Sequence, residues 1–144
     1  MLLKGRGLPL VPDLQALTDL VRCRSGLYLR QSQGPEADMF GQGSLDYESG
    51  VKMPGLSVTT IEPEPWWPRP PIDWVARRVC KYADLSEVEG RHAWLLHGRV
   101  VGRGPDHEPL VTDIEPVARL DDLVIQEARS HYAERFDVAR DSTN

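Results

Sequence analysis

Three kinds of side chain in this sequence have the chemistry to act together on one substrate: an arginine, two hydroxyls and two carboxylates. Arg30 lies in a short alternating run, Leu27 to Ser32. Ser57 and Thr59 stand two apart in the β-branched run Leu56 to Thr60, so an extended backbone turns them the same way. Asp106 and Glu108 immediately precede a third run, Leu110 to Ile114, and share a side if they too are extended. Such a set suits nicotinamide adenine dinucleotide (NAD). The arginine holds a diphosphate oxygen or the ribose, and a hydroxyl braces the ribose. The carboxylate stabilises the oxocarbenium-like centre formed as nicotinamide leaves. The same residues also suit plain turn and strand-edge roles.

Trp66 and Trp67 sit in a stretch, Glu62 to Pro71, with five prolines. Large aromatics there either plug the edge of a core or form a platform on which a planar ring stacks. Arg77 and Arg78 suit phosphate contacts or a solvated helix face. Asp46 with Glu48, or Asp106 with Glu108, form carboxylate pairs of the kind used on glycosidic bonds. His92, His97, His107 and His131 are scattered without metal-site spacing, so no metal is expected. Cys23 and Cys80 fall at helix positions that suit buried structural thiols. Gly102-Arg103-Gly104 lacks the rest of a phosphate loop and reads as a tight turn.

The elements that position these groups follow from periodicity and punctuation. Asp13 caps a helix whose stripe is Leu14, Leu17, Leu20 and Val21, and Gly26 ends it. The spacing then predicts a strand over 27–32 and a loop over 33–44. A strand or turn follows over 46–51, with a turn at Met53-Pro54-Gly55. A strand over 56–60 precedes the proline stretch. The helix over 72–83 buries Ile72, Val75, Ala76, Val79 and Ala83 and wets Asp73, Arg77, Arg78 and Lys81. After a turn at 87–90 come strands over 93–101 and 110–114, the second limited by Pro116. Leu120, Leu123, Val124, Ala128 and Tyr132 mark a last helix. Irregular connections between these strands point to α+β: one domain with a small, mainly antiparallel sheet and flanking helices.

The chain has 144 residues, enough for one self-sufficient core over 12–136, with an arm at 1–11 and a flexible tail at 137–144. Lysine plus arginine number 17 against 22 acids, a formal charge of -5, which argues against a phosphate-neutralising surface and so against nucleic acid. No apolar run approaches the ~20 residues that span a bilayer. The first ten residues lack the apolar core of a signal peptide. A soluble, cytoplasmic protein is the expectation.

Several stretches carry a resemblance: Gly26-Leu27-Tyr28-Leu29-Arg30, Gly34-Pro35-Glu36-Ala37-Asp38, Asp46-Tyr47-Glu48-Ser49-Gly50, Pro54-Gly55-Leu56-Ser57-Val58, Pro65-Trp66-Trp67, and Gly98 through Asp106 on to Leu110. From about Leu14 to Leu123 the chain resembles a family of short actinobacterial proteins of unknown function, domain of unknown function 6098. The order of elements is also similar to the compact ADP-ribosyltransferase fold. In its arginine–serine–glutamate branch an arginine ends the first strand, where Arg30 stands. Ser57-Val58-Thr59 stands at the Ser-Thr-Ser motif, and Asp106-His107-Glu108 at the Gln/Glu-x-Glu motif. Two positions depart: the Ser-Thr-Ser motif is not intact, and its acidic counterpart begins with Asp. That likeness implies an enzyme that binds NAD through Arg30, Ser57 and Thr59, stacks it on Tyr28, Trp66 or Trp67, and cleaves it with Glu108. The acceptor, protein or small molecule, is unspecified. The alternatives are a non-catalytic interaction module using the Pro/Trp loop, and a carboxylate-pair hydrolase.

Overall fold

A computed structural model describes residues 8–40, 44–46, 48–87 and 90–136. The order is β1 (Leu10–Val11), α1 (Leu14–Cys23), β2 (Tyr28–Ser32), α2 (Pro35–Phe40), β3 (Leu56–Ser57), β4 (Thr59–Thr60), α3 (Pro71–Lys81), a 3-10 turn (Ala83–Glu87), β5 (His92–Arg103), β6 (Pro109–Leu120) and α4 (Asp122–Phe136). The α+β class holds. All pairings are antiparallel except that of β1 with β6.

The strands run β1-β6-β5-β2-β4, with β3 returning to pair with β6. The strand expected over 56–60 is thus two half-strands on different neighbours. Leu56 and Ser57 pair with Val111 and Leu110, whereas Thr59 and Thr60 pair with Leu29 and Tyr28. Between them Val58 donates its N–H to the Pro109 carbonyl at 3.2 Å. One segment therefore bridges β6 and β2 and curls the sheet.

Alternation along β5 gives the curl two cores, because successive side chains leave a strand on opposite faces. Ala93 and Leu95 join Leu17, Val21, Leu29, Val75, Val79 and Val124 in the main core with the helices. Trp94 and Leu96 join Leu56, Val58 and Val111 in a smaller core, with Tyr28 packed against it. The α1 stripe is as expected, and Asp13 accepts the Ala16 N–H at 2.8 Å.

Several expectations change. The loop over 33–44 contains α2, because Pro35 suits a first turn and Asp38 is held by Arg30 and Ser32 of β2. β6 runs through Pro116, since a register shift between Leu95 and Leu96 puts a bulge there, where a missing N–H is tolerated. β5 runs on to Arg103, so the turn shrinks to 104–108. Leu10 and Val11, expected in the arm, form an edge strand on Arg119 and Leu120. Asp73 is not on a wet face: it is buried, held by Arg69 and His131. Arg78 is half-buried, bonded to the Thr60 carbonyl and hydroxyl. Cys23 is exposed and Cys80 half-buried, and neither is in a disulfide. Residues 1–7 and the expected tail, 137–144, lie outside the described residues.

Gly55 shows how tightly the curl closes. A Cβ there would lie 2.9 Å from both the backbone nitrogen and oxygen of Val111. Backbone cannot yield as a side-chain tip does, so Gly55→Ala is expected to lower stability by about 1–3 kcal/mol, read as a lower urea midpoint.

Candidate functional site

The arginine, the hydroxyl and the carboxylate meet around one residue, Ser57. Arg30 extends from β2, and its Nη1 donates to the Ser57 carbonyl at 2.8 Å. From the other side, Ser57 Oγ donates to Glu108 Oε2 at 2.8 Å. The Ser57 N–H donates to Ser44 Oγ at 2.9 Å. Ser57 can be reached from both sides because its half-strand crosses between β2 and β6.

Each partner is also committed elsewhere. Arg30 Nε donates to Asp38 Oδ2 at 3.1 Å. Ser32 Oγ donates to that same oxygen at 2.5 Å and accepts the Trp94 indole N–H at 3.0 Å. Arg30 thereby ties α2 to β2 and to the bridging segment. Asp106 and Glu108 are not extended: His107 between them is left-handed at φ 64°, and the Asp106 N–H donates to Glu108 Oε1 at 3.0 Å. A side chain on Gly104 would collide with that carboxylate, so the turn is shaped around Glu108. Both carboxylates face Tyr82, whose phenol is pushed up by burial and by their charge. Thr59 is buried on β4, and Tyr28 packs half-exposed against the smaller core. Two shallow grooves, of about 440 and 430 Å3, are lined by none of Arg30, Ser57 and Glu108. Asp46 lines the second groove and accepts from Ser49 Oγ, while Glu48 is exposed outside it. The described residues contain no metal-holding cluster.

The tryptophans form a second constellation. Trp66 is 69% exposed, so it plugs no core. Its ring stands edge-on to Trp67 at 6.2 Å and to Trp74 of α3 at 5.7 Å, and Trp67 meets Trp74 at 5.1 Å. The Trp67 indole N–H donates to the Pro70 carbonyl, which fixes its ring to the proline stretch. Arg69 lies over Trp67 and over Phe136 of α4, and Arg77 also lies over Phe136. Among the described residues, Trp66 and Trp67 share no hydrogen bond, ring contact or groove with Glu108. The stretch over 62–71 and the helix after it carried the signal, but Trp74, which completes the cluster, reads as one more stripe-flanking residue.

A protein-family comparison matches residues 4–143 to the family of unknown function DUF6098. The chain belongs to that family. No curated protein and no solved structure matches the DUF6098 chain, so the likeness to ADP-ribosyltransferases rests on its short motifs alone.

Beside the Ser32–Asp38 contact, burial and the Arg119 guanidinium hold the His92 imidazole below its ordinary value. The unfolded chain then takes up this proton first. Stability falls as pH drops through about 6.5, and the loss levels off below the folded value. His92→Gln is expected to flatten this part of the acid limb, measured as urea midpoint against pH between roughly 7 and 5.

Proposed function

We propose that this chain is a protein-interaction module whose interface is the Trp66–Trp67–Trp74 cluster, and that it docks a proline-bearing, acidic segment of another protein. The exposure of Trp66 carries the reading. An indole left in water at 69% exposure forgoes burial worth roughly 2–3 kcal/mol for a large side chain, which a partner can recover. The five prolines around it restrict the backbone before any partner arrives, so little ordering entropy is lost on binding. The exposed Trp66 indole is an aromatic surface of the kind on which proline-rich segments pack. Trp66 makes no hydrogen bond to the described residues, so its indole N–H is available to a peptide carbonyl. Exposed Arg77 has no ion-pair partner among them, which supplies the charge for a carboxylate on the incoming segment.

The test is a fluorescence titration with a blocked oligoproline carrying interspersed aspartates, beside the same peptide with lysines. The acidic peptide is expected to bind more tightly, and Trp66→Ala to weaken it about tenfold or more. Equal affinity of wild type and variant would overturn the reading.

A second reading, NAD cleavage with Glu108 as the catalytic carboxylate, is supported by the convergence of Arg30 and Glu108 on Ser57. It requires the Ser57–Glu108 bond to open so that ribose can enter between them. Nicotinamide release from NAD is expected in wild type and absent in Glu108→Gln, which keeps the shape and removes the charge. No release from either protein, with or without lysate as acceptor, would remove it.

A further inference from the structure

The sequence gives no hint that Asp73 and His131, 58 residues apart, form a pair. Asp73, in the first turn of α3, is 3% exposed, and its Oδ1 lies 2.6 Å from His131 Nε2 on α4. Its Oδ2 accepts from Arg69 Nε at 3.1 Å, so the buried carboxylate is neutralised without help from the imidazole. A carboxylate acceptor fixes the proton of a neutral imidazole on Nε2. That leaves Nδ1 with its lone pair free, and Nδ1 has no partner among the described residues. This is the arrangement by which a buried carboxylate orients a histidine toward something else.

His131 lines a groove of about 440 Å3 formed by the starts of α1 and α3 and one face of α4. The groove is shallow and open to solvent, so a small ligand here would be held along one side. Ile72 and Leu123 give it apolar wall, while Gln126, Glu127 and Glu134 give it polar groups. Glu127 Oε1 already accepts the Leu14 N–H at 2.9 Å, whereas Glu134 is exposed and in no ion pair among the described residues. The wall thus brings together an imidazole and two carboxylates, with no lysine or arginine beside them among the described residues. A ligand that satisfies this set donates protons, carries positive charge and has an aliphatic part.

We propose that the groove binds an alkylammonium group, its N–H donated to His131 Nδ1, its charge set against Glu134 and its carbon chain on Ile72 and Leu123. The site rests on Asp73, His131 and the groove's own lining and not on the interface reading, although Arg69 touches both Asp73 and Trp67.

The experiment is an amide-resolved NMR titration of the full chain at pH 8, with hexylamine as probe, hexanoate as the charge-reversed control, and a doubly blocked lysine to separate a free amine from a protein side chain. Hexylamine is expected to shift the amides of Gln126, Ser130 and His131, together with the His131 ring resonances, and hexanoate to leave them in place. If the blocked lysine binds as tightly, the natural ligand is a lysine side chain; if it binds more weakly, a free amine. Glu134→Gln, an exposed change that leaves the Asp73–His131 pair intact, is expected to weaken hexylamine about fivefold. His131→Gln is expected to weaken it further. Equal shifts with hexanoate, no shifts at millimolar hexylamine, or an unchanged affinity in Glu134→Gln would each overturn the proposal.

Discussion

The bridge formed by residues 56–60 is the constraint on which the rest of this structure depends. Leu56 and Ser57 are bonded to β6, Thr59 and Thr60 to β2, and β5 lies between those two strands on the other side. A single short segment therefore closes the sheet over Trp94 and Leu96. The contacts that fix it are polar and specific: Arg30 on the Ser57 carbonyl, Glu108 on the Ser57 hydroxyl, Arg78 on Thr60. Residues that look like a catalytic set in the sequence hold this bridge in place. That account competes directly with the cofactor reading, because a carboxylate that organises a turn and braces a strand is already occupied.

Much of the architecture was legible in the chain. The capped α1 stripe, the proline stretch, the helix that follows it, most of β5 and the first part of β6 follow from local rules of spacing and capping. What local rules could not reach was set by partners distant in sequence. Nothing near Asp38 announces that α2 is held by Arg30. Nothing in 56–60 announces that its halves belong to different neighbours. Asp73 sits where an early acid suits a helix dipole, and only the fold shows it buried beneath His131. Pro116 reads as a strand end because proline breaks regular ladders, but a bulge carries the strand past it.

The candidate sites divide in the same way. The proline and tryptophan stretch was conspicuous from composition, although its outward face was not. Burial is a property of where a loop lands, and a pair of indoles is equally at home under a core or on a surface. The Asp73–His131 pair had no local signal at all. Arg69 belongs to both regions, with its guanidinium over Trp67 and Phe136 and its Nε on Asp73. The aromatic surface and the buried pair are therefore built on shared ground.

One consequence of the long hairpin concerns self-association. Among the described residues, β6 is paired on its outer side only near its two ends, by β3 and by β1. The stretch between leaves backbone groups without a strand beside them, which is where another chain could add and begin a fibril. That stretch holds Pro116, which has no N–H to offer, together with exposed Asp113 and Glu115 and a backbone turned left-handed at Asp113. Facing an identical copy, such an edge presents like charges, a missing donor and a twist that spoils register. The irregularities that made β6 hard to recognise as a strand also make it a poor template for aggregation.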